Sequence, residues 1–176
     1  MISLGSLELV LAFTFVFAPM IAEAVISARH DRVLRARGAI EPDGDVYKLM
    51  QLAYPGCFLV LLAEGAARGV HWDAVMASGA AIFAGAKALK YWAITSLGER
   101  WTFRVIVQPG RPLVRTGPYR FVDHPNYIGV VGELVGAAMM LGARVFGPIM
   151  TIVFGIALWA RLRFESRILR EMTSSM

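Results

Sequence analysis

The sequence of 176 residues contains a single cysteine, Cys57, and few charged residues. One cysteine cannot form a disulfide within the chain or a cysteine-based metal site. Charged side chains make up 18% of the sequence, whereas a soluble domain usually has about a quarter. The chain is also too short for a membrane anchor joined to a separate soluble catalytic domain. Because 57% of the residues are hydrophobic, any chemistry must be built from membrane helices and their loops.

Five apolar segments approach the length that crosses a bilayer, which is about 20 helical residues. They are residues 4–26, 49–67, 74–94, 127–141 and 145–159. The last two are separated by only residues 142–144 and are predicted to form a tight helical hairpin. The fifth helix should continue past Trp159 into the polar segment that follows. The predicted fold is an all-α integral membrane protein with about five transmembrane helices, a folded cytoplasmic loop and a cytoplasmic extension of the C-terminal helix.

The basic residues are distributed unequally along the chain. Sixteen of the 18 lie between spans one and two, from the end of span three through the following loop, or in the C-terminal tail; only Arg68 and Arg144 lie on the other side. With five spans, the positive-inside rule places the N-terminus outside and the C-terminus in the cytoplasm. The net charge of +5 then reflects topology, and nucleic-acid binding is not needed to explain it.

The first span has an alternative interpretation as a cleaved signal peptide, because the Ala-Glu-Ala at residues 22–24 resembles a cleavage site. The segment lacks a basic stretch before its apolar core, and that core is too long, which favours its retention. We therefore treat residues 1–176 as a single membrane domain. Residues 1–94 hold three N-terminal spans, and residues 95–176 hold the loop, the hairpin and the C-terminal helix.

One loop, residues 96–126, is much longer than the others. Long loops in compact proteins are usually functional or disordered. This loop is rich in apolar and aromatic residues, which argues against disorder, and the pairs Pro109–Gly110 and Gly117–Pro118 predict turns. The sequence therefore predicts a folded loop at the cytoplasmic face.

Two groups of polar residues flank the predicted hairpin. His124 precedes Pro125, which suits the first position of a helix, so the free backbone donors of span four would lie beside the histidine and could hold an anion. Arg161 and Glu165 are four residues apart and share one helix face. Each group also has a structural interpretation, as a helix cap or as arginines at the membrane interface. The hairpin should bring both groups to the same membrane face.

The combined motifs resemble a known family. The run Gly-Pro-Tyr-x4-His-Pro-x-Tyr-x-Gly at residues 117–129, followed after the hairpin by Arg-x3-Glu at residues 161–165, resembles the isoprenylcysteine carboxyl methyltransferase family of integral membrane enzymes. Residues 35–41 and 89–101 are similar to its small bacterial members, some of which act on alkylpyrones and alkylresorcinols. The family usually has arginine in place of Asp123 and often a second glutamate in place of Ser166.

The resemblance implies S-adenosyl-L-methionine as the cofactor, no metal, and a site between the loop and the cytoplasmic ends of spans four and five. The residues implied to bind the cofactor are Val114, Gly117, Tyr119, His124, Pro125, Tyr127 and Glu165. From the chemistry of methyl transfer we predict two catalytic residues: Arg161, which would hold an anionic oxygen of the acceptor, and Glu165, which would orient Arg161 or the cofactor. Arg104 and Trp101 would contact the acceptor.

The resemblance also implies a lipophilic acceptor, such as a prenylcysteine or a long-chain polyketide lipid, methylated on a carboxylate or hydroxyl oxygen in the bacterial cell membrane. Related membrane folds keep two alternatives open, a phospholipid N-methyltransferase and a membrane reductase. A third alternative is a small transporter or assembly factor, because carboxylates within apolar spans often mark ion pathways. These carboxylates are Glu8, Glu23, Glu64 and Glu133. The spacing of Gly132 and Gly136 predicts close helix packing, and the oligomeric state is left open.

Overall fold

The computed structural model describes residues 6–69, 73–108 and 111–174. Five long helices account for most of them: α1 (Ser6–Ala36), α2 (Tyr47–Arg68), α3 (Ala74–Leu97), α4 (Pro125–Met140) and α5 (Phe146–Ser174). Two short 3₁₀ helices, Gly98–Arg100 and Gly117–Arg120, lie in the long loop between α3 and α4. Within the described ranges there is no strand, and one isolated antiparallel bridge joins Ile40 to Val107. The all-α prediction is confirmed.

Each predicted span corresponds to one helix, and the differences lie at the helix ends. The first predicted span ends at residue 26, whereas α1 continues to Ala36. The fifth continues into the polar tail as predicted, and α5 reaches Ser174. Residues 4 and 5 of the first predicted span and the predicted Pro109–Gly110 turn lie outside the described residues.

Three helices of the described chain, α1, α2 and α5, are long and apolar enough to cross a membrane. The other two helices, α3 and α4, do not meet these criteria for a membrane span. α3 carries two buried lysines, and α4 has only 16 residues. The five-span count and the orientation of the termini therefore stay predictions.

A carboxylate from α2 holds the hairpin between α4 and α5. Glu64 accepts hydrogen bonds from the backbone N–H groups of Val145 and Phe146 at 2.9 and 2.7 Å. These donors belong to the start of α5, where backbone N–H groups lack helical acceptors. Glu64 thus caps α5 from a neighbouring helix, and it lies 3.6 Å from Arg68 on its own helix. The tight hairpin is confirmed, and this buried glutamate has a structural role in it.

α3 and α4 form the most extensive helix pair. A Cβ atom added at Gly136 would lie 2.5 Å from the backbone nitrogen of Phe83, and one added at Gly132 would lie 2.9 Å from the Cβ of Ala86. Both distances are too short for a methyl group, so the two helix backbones approach each other only because these positions are glycine. The close packing predicted for Gly132 and Gly136 is confirmed, and its partner is α3 of the same chain.

Four charged side chains form a buried cluster between α1, α3 and α4. Lys87 Nζ lies 2.8 Å from Glu23 Oε1 and 3.0 Å from Glu133 Oε2. Lys90 Nζ lies 2.6 Å from Glu23 Oε2 and 3.3 Å from Glu133 Oε1. Tyr54 of α2 donates its hydroxyl hydrogen to Glu133. Two positive and two negative charges are therefore paired in the interior, and four helices contribute to the network.

This cluster corrects the assignment of two lysines and accounts for two of the carboxylates within the apolar spans. The distribution of basic residues groups Lys87 and Lys90 with the cytoplasmic side, but both are buried and paired inside the bundle. Fourteen of the 18 basic residues remain on the predicted cytoplasmic side. Glu23 and Glu133 have lysine partners, which weakens the argument that they mark an ion pathway. The side chain of Glu8 lies outside the described part of the structure.

Replacing Lys90 by Met leaves two buried carboxylates facing a single lysine. Removing one partner of a buried ion pair costs about 3–5 kcal/mol, which for a chain of this length lowers the thermal midpoint by roughly 10 °C. Thermal unfolding of the purified protein in detergent measures the shift. Lys48→Met, at an exposed lysine of α2, is the control and should leave the midpoint unchanged. Adding Glu23→Gln to Lys90→Met restores the charge balance and should recover part of the loss; a Lys90→Met midpoint equal to that of the wild type would contradict this role.

Candidate active site

A cavity of about 1350 Å³ lies where the long loop meets α1, α2, α4 and α5. Along α5 its wall extends from Phe154 to Arg170, which is about 24 Å at the helical rise per residue. Toward the middle of the helices the lining is apolar, with Phe17, Phe154 and Leu158, and toward the loop it is charged. This gradient suits a ligand that has a polar head and a long apolar tail.

The two predicted polar groups meet at the charged end of the cavity. Tyr127 of α4 donates its hydroxyl hydrogen to Glu165 of α5. His124 Nδ1 lies 3.9 Å from Glu165 Oε2, and the imidazole stacks on the Tyr127 ring with centroids 5.5 Å apart. His124 Nε2 lies 3.1 Å from Ser166 Oγ. The hairpin therefore brings the two motifs into contact, as the sequence predicts. We call these four residues the Glu165 cluster.

The start of α4 adds features that suit a charged ligand. His124 occupies the N-cap position without capping the helix through its side chain, and Pro125 at the first helical position has no N–H group to donate. Asn126 and Tyr127 follow, and both line the cavity. Asn126 Oδ1 is buried and has no hydrogen-bond partner within the described residues. The positive end of a helix thus lies beside an unused acceptor, an arrangement that fits a ligand carrying both an anionic and a cationic group.

Arg161 lies one helical turn before Glu165 and is only 7% exposed. Its Nη2 donates to the carbonyl of Phe103 and lies 3.5 Å from Asp45 Oδ2, and its Nη1 lies 3.9 Å from Met50 Sδ. Its Nε is buried and lacks a hydrogen-bond partner in the described chain. Within the same residues no ion pair joins Arg161 to Glu165, and the carboxylate that contacts Arg161 is Asp45. The Nε–H is therefore available to a ligand.

The connection between α1 and α2, residues 37–46, packs against the long loop. Ile40 and Val107 exchange two backbone hydrogen bonds of 2.9 Å. Arg37 pairs with Glu99, and the backbone N–H of Phe103 donates to Ser27 Oγ of α1 at 2.8 Å. The described part of the long loop is therefore held by side chains and backbone from the N-terminal half of the chain. The prediction of a folded loop is confirmed.

Arg104 lies in this loop and lines the cavity, but its guanidinium is already engaged. Nη1 donates to Glu41 Oε1 at 2.9 Å, and Nε lies 3.3 Å from Asp31 Oδ2. The guanidinium carbon lies 4.7 Å from the centre of the Tyr47 ring. Arg35 also bonds to Glu41. Two carboxylates and one ring thus fix Arg104, which leaves it less available to an acceptor than Arg161.

Three further predicted residues also line the cavity: Val114, Tyr119 and Trp101. Burial raises the pKa of the Tyr119 phenol, and the carboxylate of Glu165 raises it further. The Tyr119 hydroxyl therefore stays protonated at physiological pH and can donate a hydrogen bond. Trp101 is buried, its ring meets that of Phe103 edge-on at 5.2 Å, and its carbonyl lies 2.7 Å from His30 Nδ1.

Two predicted cofactor contacts, Gly117 and Pro125, lie behind the wall of the cavity. Gly117 has φ +59, and a Cβ atom there would lie 2.0 Å from Ser96 Oγ of α3. This position needs glycine both for its backbone conformation and for its contact with α3. Pro125 is fully buried at the start of α4. Both residues shape the backbone that carries the lining residues, and their assignment as cofactor contacts stays a prediction.

Several residues that line the cavity, or that contact its lining arginines, were not predicted from the sequence. Asp45 and Tyr47 lie in a segment that the sequence predicts only as a basic loop. Asn126 follows Pro125, but the prediction used only His124, on the other side of that proline. Glu41 belongs to the segment that resembles small bacterial proteins, and this similarity was the one available signal. No spacing rule places residue 45 beside residue 161, because their contact depends on how α2 and α5 pack.

Comparison with known proteins identifies a family for the part of the chain that holds most of these residues. The model of the isoprenylcysteine carboxyl methyltransferase family matches residues 79–171, which hold the long loop, the hairpin and the Glu165 cluster. The uncharacterized protein YpbQ of Bacillus subtilis is 29% identical over 150 residues, which cover 85% of this chain and 89% of that protein. An uncharacterized protein of Haemophilus influenzae is 24% identical over 156 residues, which cover 88% and 91%. No solved structure matches the chain.

The contact between Glu41 and its arginines yields a prediction about pH. Burial alone would raise the pKa of Glu41, but the hydrogen bonds from Arg35 and Arg104 outweigh it and hold the pKa below the ordinary value of 4.5. The stabilisation is therefore fully present above pH 4.5 and is lost as the pH falls through the lower value of the folded state.

Replacing Glu41 by Gln should accordingly lower the thermal midpoint at neutral pH, and the difference from the wild type should disappear in acid. Thermal unfolding in detergent across that pH range measures it. Asp43→Asn, at an exposed neighbour, is the matched control and should behave like the wild type throughout. A midpoint difference that is independent of pH would show that Glu41 acts through packing and not through its charge.

Proposed function

Because the chain belongs to the isoprenylcysteine carboxyl methyltransferase family of membrane methyltransferases, we propose that it transfers a methyl group from S-adenosyl-L-methionine to an oxygen of a lipophilic acceptor. The reaction would take place at the cytoplasmic face of a bacterial cell membrane. One observation carries the proposal: Arg161 and the Glu165 cluster lie at the charged end of a single cavity whose other end is mainly apolar.

The residues at the charged end fit the chemistry of the cofactor. Glu165 and the unpartnered Oδ1 of Asn126 can accept hydrogen bonds from its ammonium group, and the start of α4 favours its carboxylate. Val114 and Tyr119 line the same cavity and can cover its adenosine. Bound there, the cofactor would supply a methyl group on a positively charged sulfur. The chain contributes position and electrostatics, and needs no covalent intermediate.

The charges around the cavity favour an oxygen acceptor over an amine. Its lining includes six arginines and three carboxylates, namely Arg100, Arg104, Arg111, Arg115, Arg161, Arg170, Asp31, Asp123 and Glu165. Two further carboxylates, Glu41 and Asp45, pair with Arg104 and Arg161, so the arginines still outnumber the carboxylates by one. An excess of fixed positive charge attracts a carboxylate or phenolate and repels an ammonium group. This supports O-methylation over the N-methylation of a phospholipid. Asp123, which stands where the family usually has arginine, pairs with Arg115 at 3.0 Å, so positive charge remains beside it.

The acceptor determines whether a base is needed. A carboxylate acceptor already carries the electron pair that forms the new C–O bond, while the C–S bond breaks and its electrons stay on sulfur. A hydroxyl acceptor must also lose a proton, and His124 or Glu165 can accept it. In both cases the Nε–H of Arg161 would hold the reacting oxygen.

Binding of S-adenosylhomocysteine tests the assignment of the cofactor. Isothermal titration of the purified protein in detergent should show binding, and Glu165→Gln should raise the Kd about 10- to 100-fold, because a hydrogen bond to a charged group is worth about 1.5–3 kcal/mol. Glu171→Gln, on the same helix, is the control and should keep the wild-type Kd. Binding of a nicotinamide cofactor instead would favour the reductase, and binding of neither would favour a transporter or an assembly factor.

Transfer of labelled methyl groups tests the role of Arg161. Arg161→Ala should abolish transfer from S-adenosylmethionine to N-acetyl-S-farnesylcysteine, to a 5-alkylresorcinol and to a lipid extract of the source organism, whichever of these the wild type methylates. Arg161→Lys keeps a charge beside Asp45 and checks that any loss is not due to unfolding. Arg163→Ala, at an exposed arginine of the same helix, should retain activity. Turnover by Arg161→Ala would contradict the assignment.

A further inference from the structure

Asp45, in the connection between α1 and α2, uses both of its carboxylate oxygens. Oδ1 accepts the backbone N–H of Tyr47 at 3.1 Å, at the start of α2. Oδ2 accepts the backbone N–H of Val105 at 3.2 Å and lies 3.5 Å from Arg161 Nη2. The side chain is only 5% exposed. One buried carboxylate therefore joins three segments that border the cavity: α2, the long loop and α5.

The charge of Asp45 matters because Arg161 is buried. A buried cation needs a counter-charge and hydrogen bonds that replace its hydration. Within the described residues Asp45 is the carboxylate at ion-pair distance from Arg161. Glu165, one turn away on the same helix, accepts its hydrogen bond from Tyr127. The electrostatic partner of Arg161 thus comes from outside residues 79–171, the part of the chain that matches the family.

The contacts of the guanidinium leave it little freedom. Nη2 is shared between the Phe103 carbonyl and Asp45, Nη1 faces Met50 Sδ, and the Tyr47 ring centre lies 5.8 Å from the guanidinium carbon. The nitrogen without a partner is Nε. A guanidinium that turned away from Asp45 would leave a different nitrogen without a partner.

We propose that Asp45 is a positioning residue for methyl transfer: it holds Arg161 in the orientation that leaves Nε–H for the reacting oxygen of the acceptor. The inference rests on the proposed function. Displacing a positioning group by about 1 Å can cost about 100-fold in rate, so the loss of this contact should be visible in turnover while the fold persists.

Two substitutions separate positioning from a merely structural role. Asn keeps the side-chain acceptor for the Tyr47 N–H, since Asn and Asp both form such turns. It removes the charge that Arg161 faces and the oxygen that accepts the Val105 N–H. Glu keeps the charge but forms this local turn poorly. Positioning through charge therefore predicts that Asp45→Glu retains more activity than Asp45→Asn, and a purely local backbone role predicts the reverse order.

The experiment measures kcat and KM for the acceptor with methyl-labelled S-adenosylmethionine. Each variant is offered N-acetyl-S-farnesylcysteine, a 5-alkylresorcinol and a lipid extract of the source organism. Asp45→Asn should lower kcat/KM for the acceptor about 10- to 100-fold, with the Kd for S-adenosylhomocysteine near the wild-type value. The thermal midpoint should fall, because buried Arg161 loses its counter-charge, but the protein should still be folded at the assay temperature. Asp45→Glu should fall between Asp45→Asn and the wild type. Asp43→Asn, at an exposed carboxylate two residues away, should match the wild type.

A double-mutant cycle with Arg161→Lys adds a second test. If Asp45 acts through Arg161, then Asp45→Asn should cost much less in the Arg161→Lys protein than in the wild type, because the shared contact is already disturbed. Equal losses in both backgrounds would mean that the two residues act independently, and would overturn the inference.

The remaining outcomes are also decisive. An active wild type whose Asp45→Asn variant matches Asp43→Asn would overturn the inference and leave the proposed function standing. The inference would also be overturned, and the proposed function left standing, if Asp45→Asn lost both S-adenosylhomocysteine binding and thermal stability and Asp45→Glu was no more active than Asp45→Asn. A wild-type protein that transfers no label to any of the three acceptor sources would overturn the proposed function, and this inference with it.

Discussion

Four charges buried between apolar helices are tolerated only when each has a partner. This requirement determines how the helices are positioned against one another. Glu23, Lys87, Lys90 and Glu133 satisfy one another across α1, α3 and α4. α1 cannot slide or rotate without leaving a charge unpaired in the interior, at a cost of several kcal/mol. Two members of the network, Lys90 and Tyr54, also line the cavity. The polar core that aligns the helices therefore also sets one wall of the space in which a ligand would lie.

The candidate site depends on both halves of the chain. The half that matches the family provides the hairpin and the Glu165 cluster, and the N-terminal half provides carboxylates that fix the arginines. Glu41 holds Arg104, and Asp45 contacts Arg161. A cationic site in an apolar setting needs such counter-charges, since unpaired guanidinium groups would otherwise lose their hydration without compensation. The N-terminal helices therefore contribute to the electrostatics of the site as well as to its apolar wall.

Much of the fold followed from patterns that are local in the sequence. Apolar runs predicted the helices, and the short gap before Val145 predicted the hairpin, which in turn predicted that His124 and Glu165 would meet. The pairs that were missed join distant segments. Lys87 and Lys90 looked like cytoplasmic residues because a count of basic residues cannot see their buried partners. Asp45 looked like part of a polar loop, because its contact with Arg161 exists only once α2 and α5 are packed.

The cap that Glu64 places on α5 has a mechanical consequence. α2 contacts the start of α5 through Glu64, and Asp45, which bonds to the first residue of α2, contacts α5 again at Arg161. Phe146 and Arg161 are 15 residues apart along α5, or about 22 Å. A helix fastened to its neighbour at two distant points cannot pivot against it. α2 and α5 are therefore joined as one frame, and a displacement of α2 would move Arg161 with it.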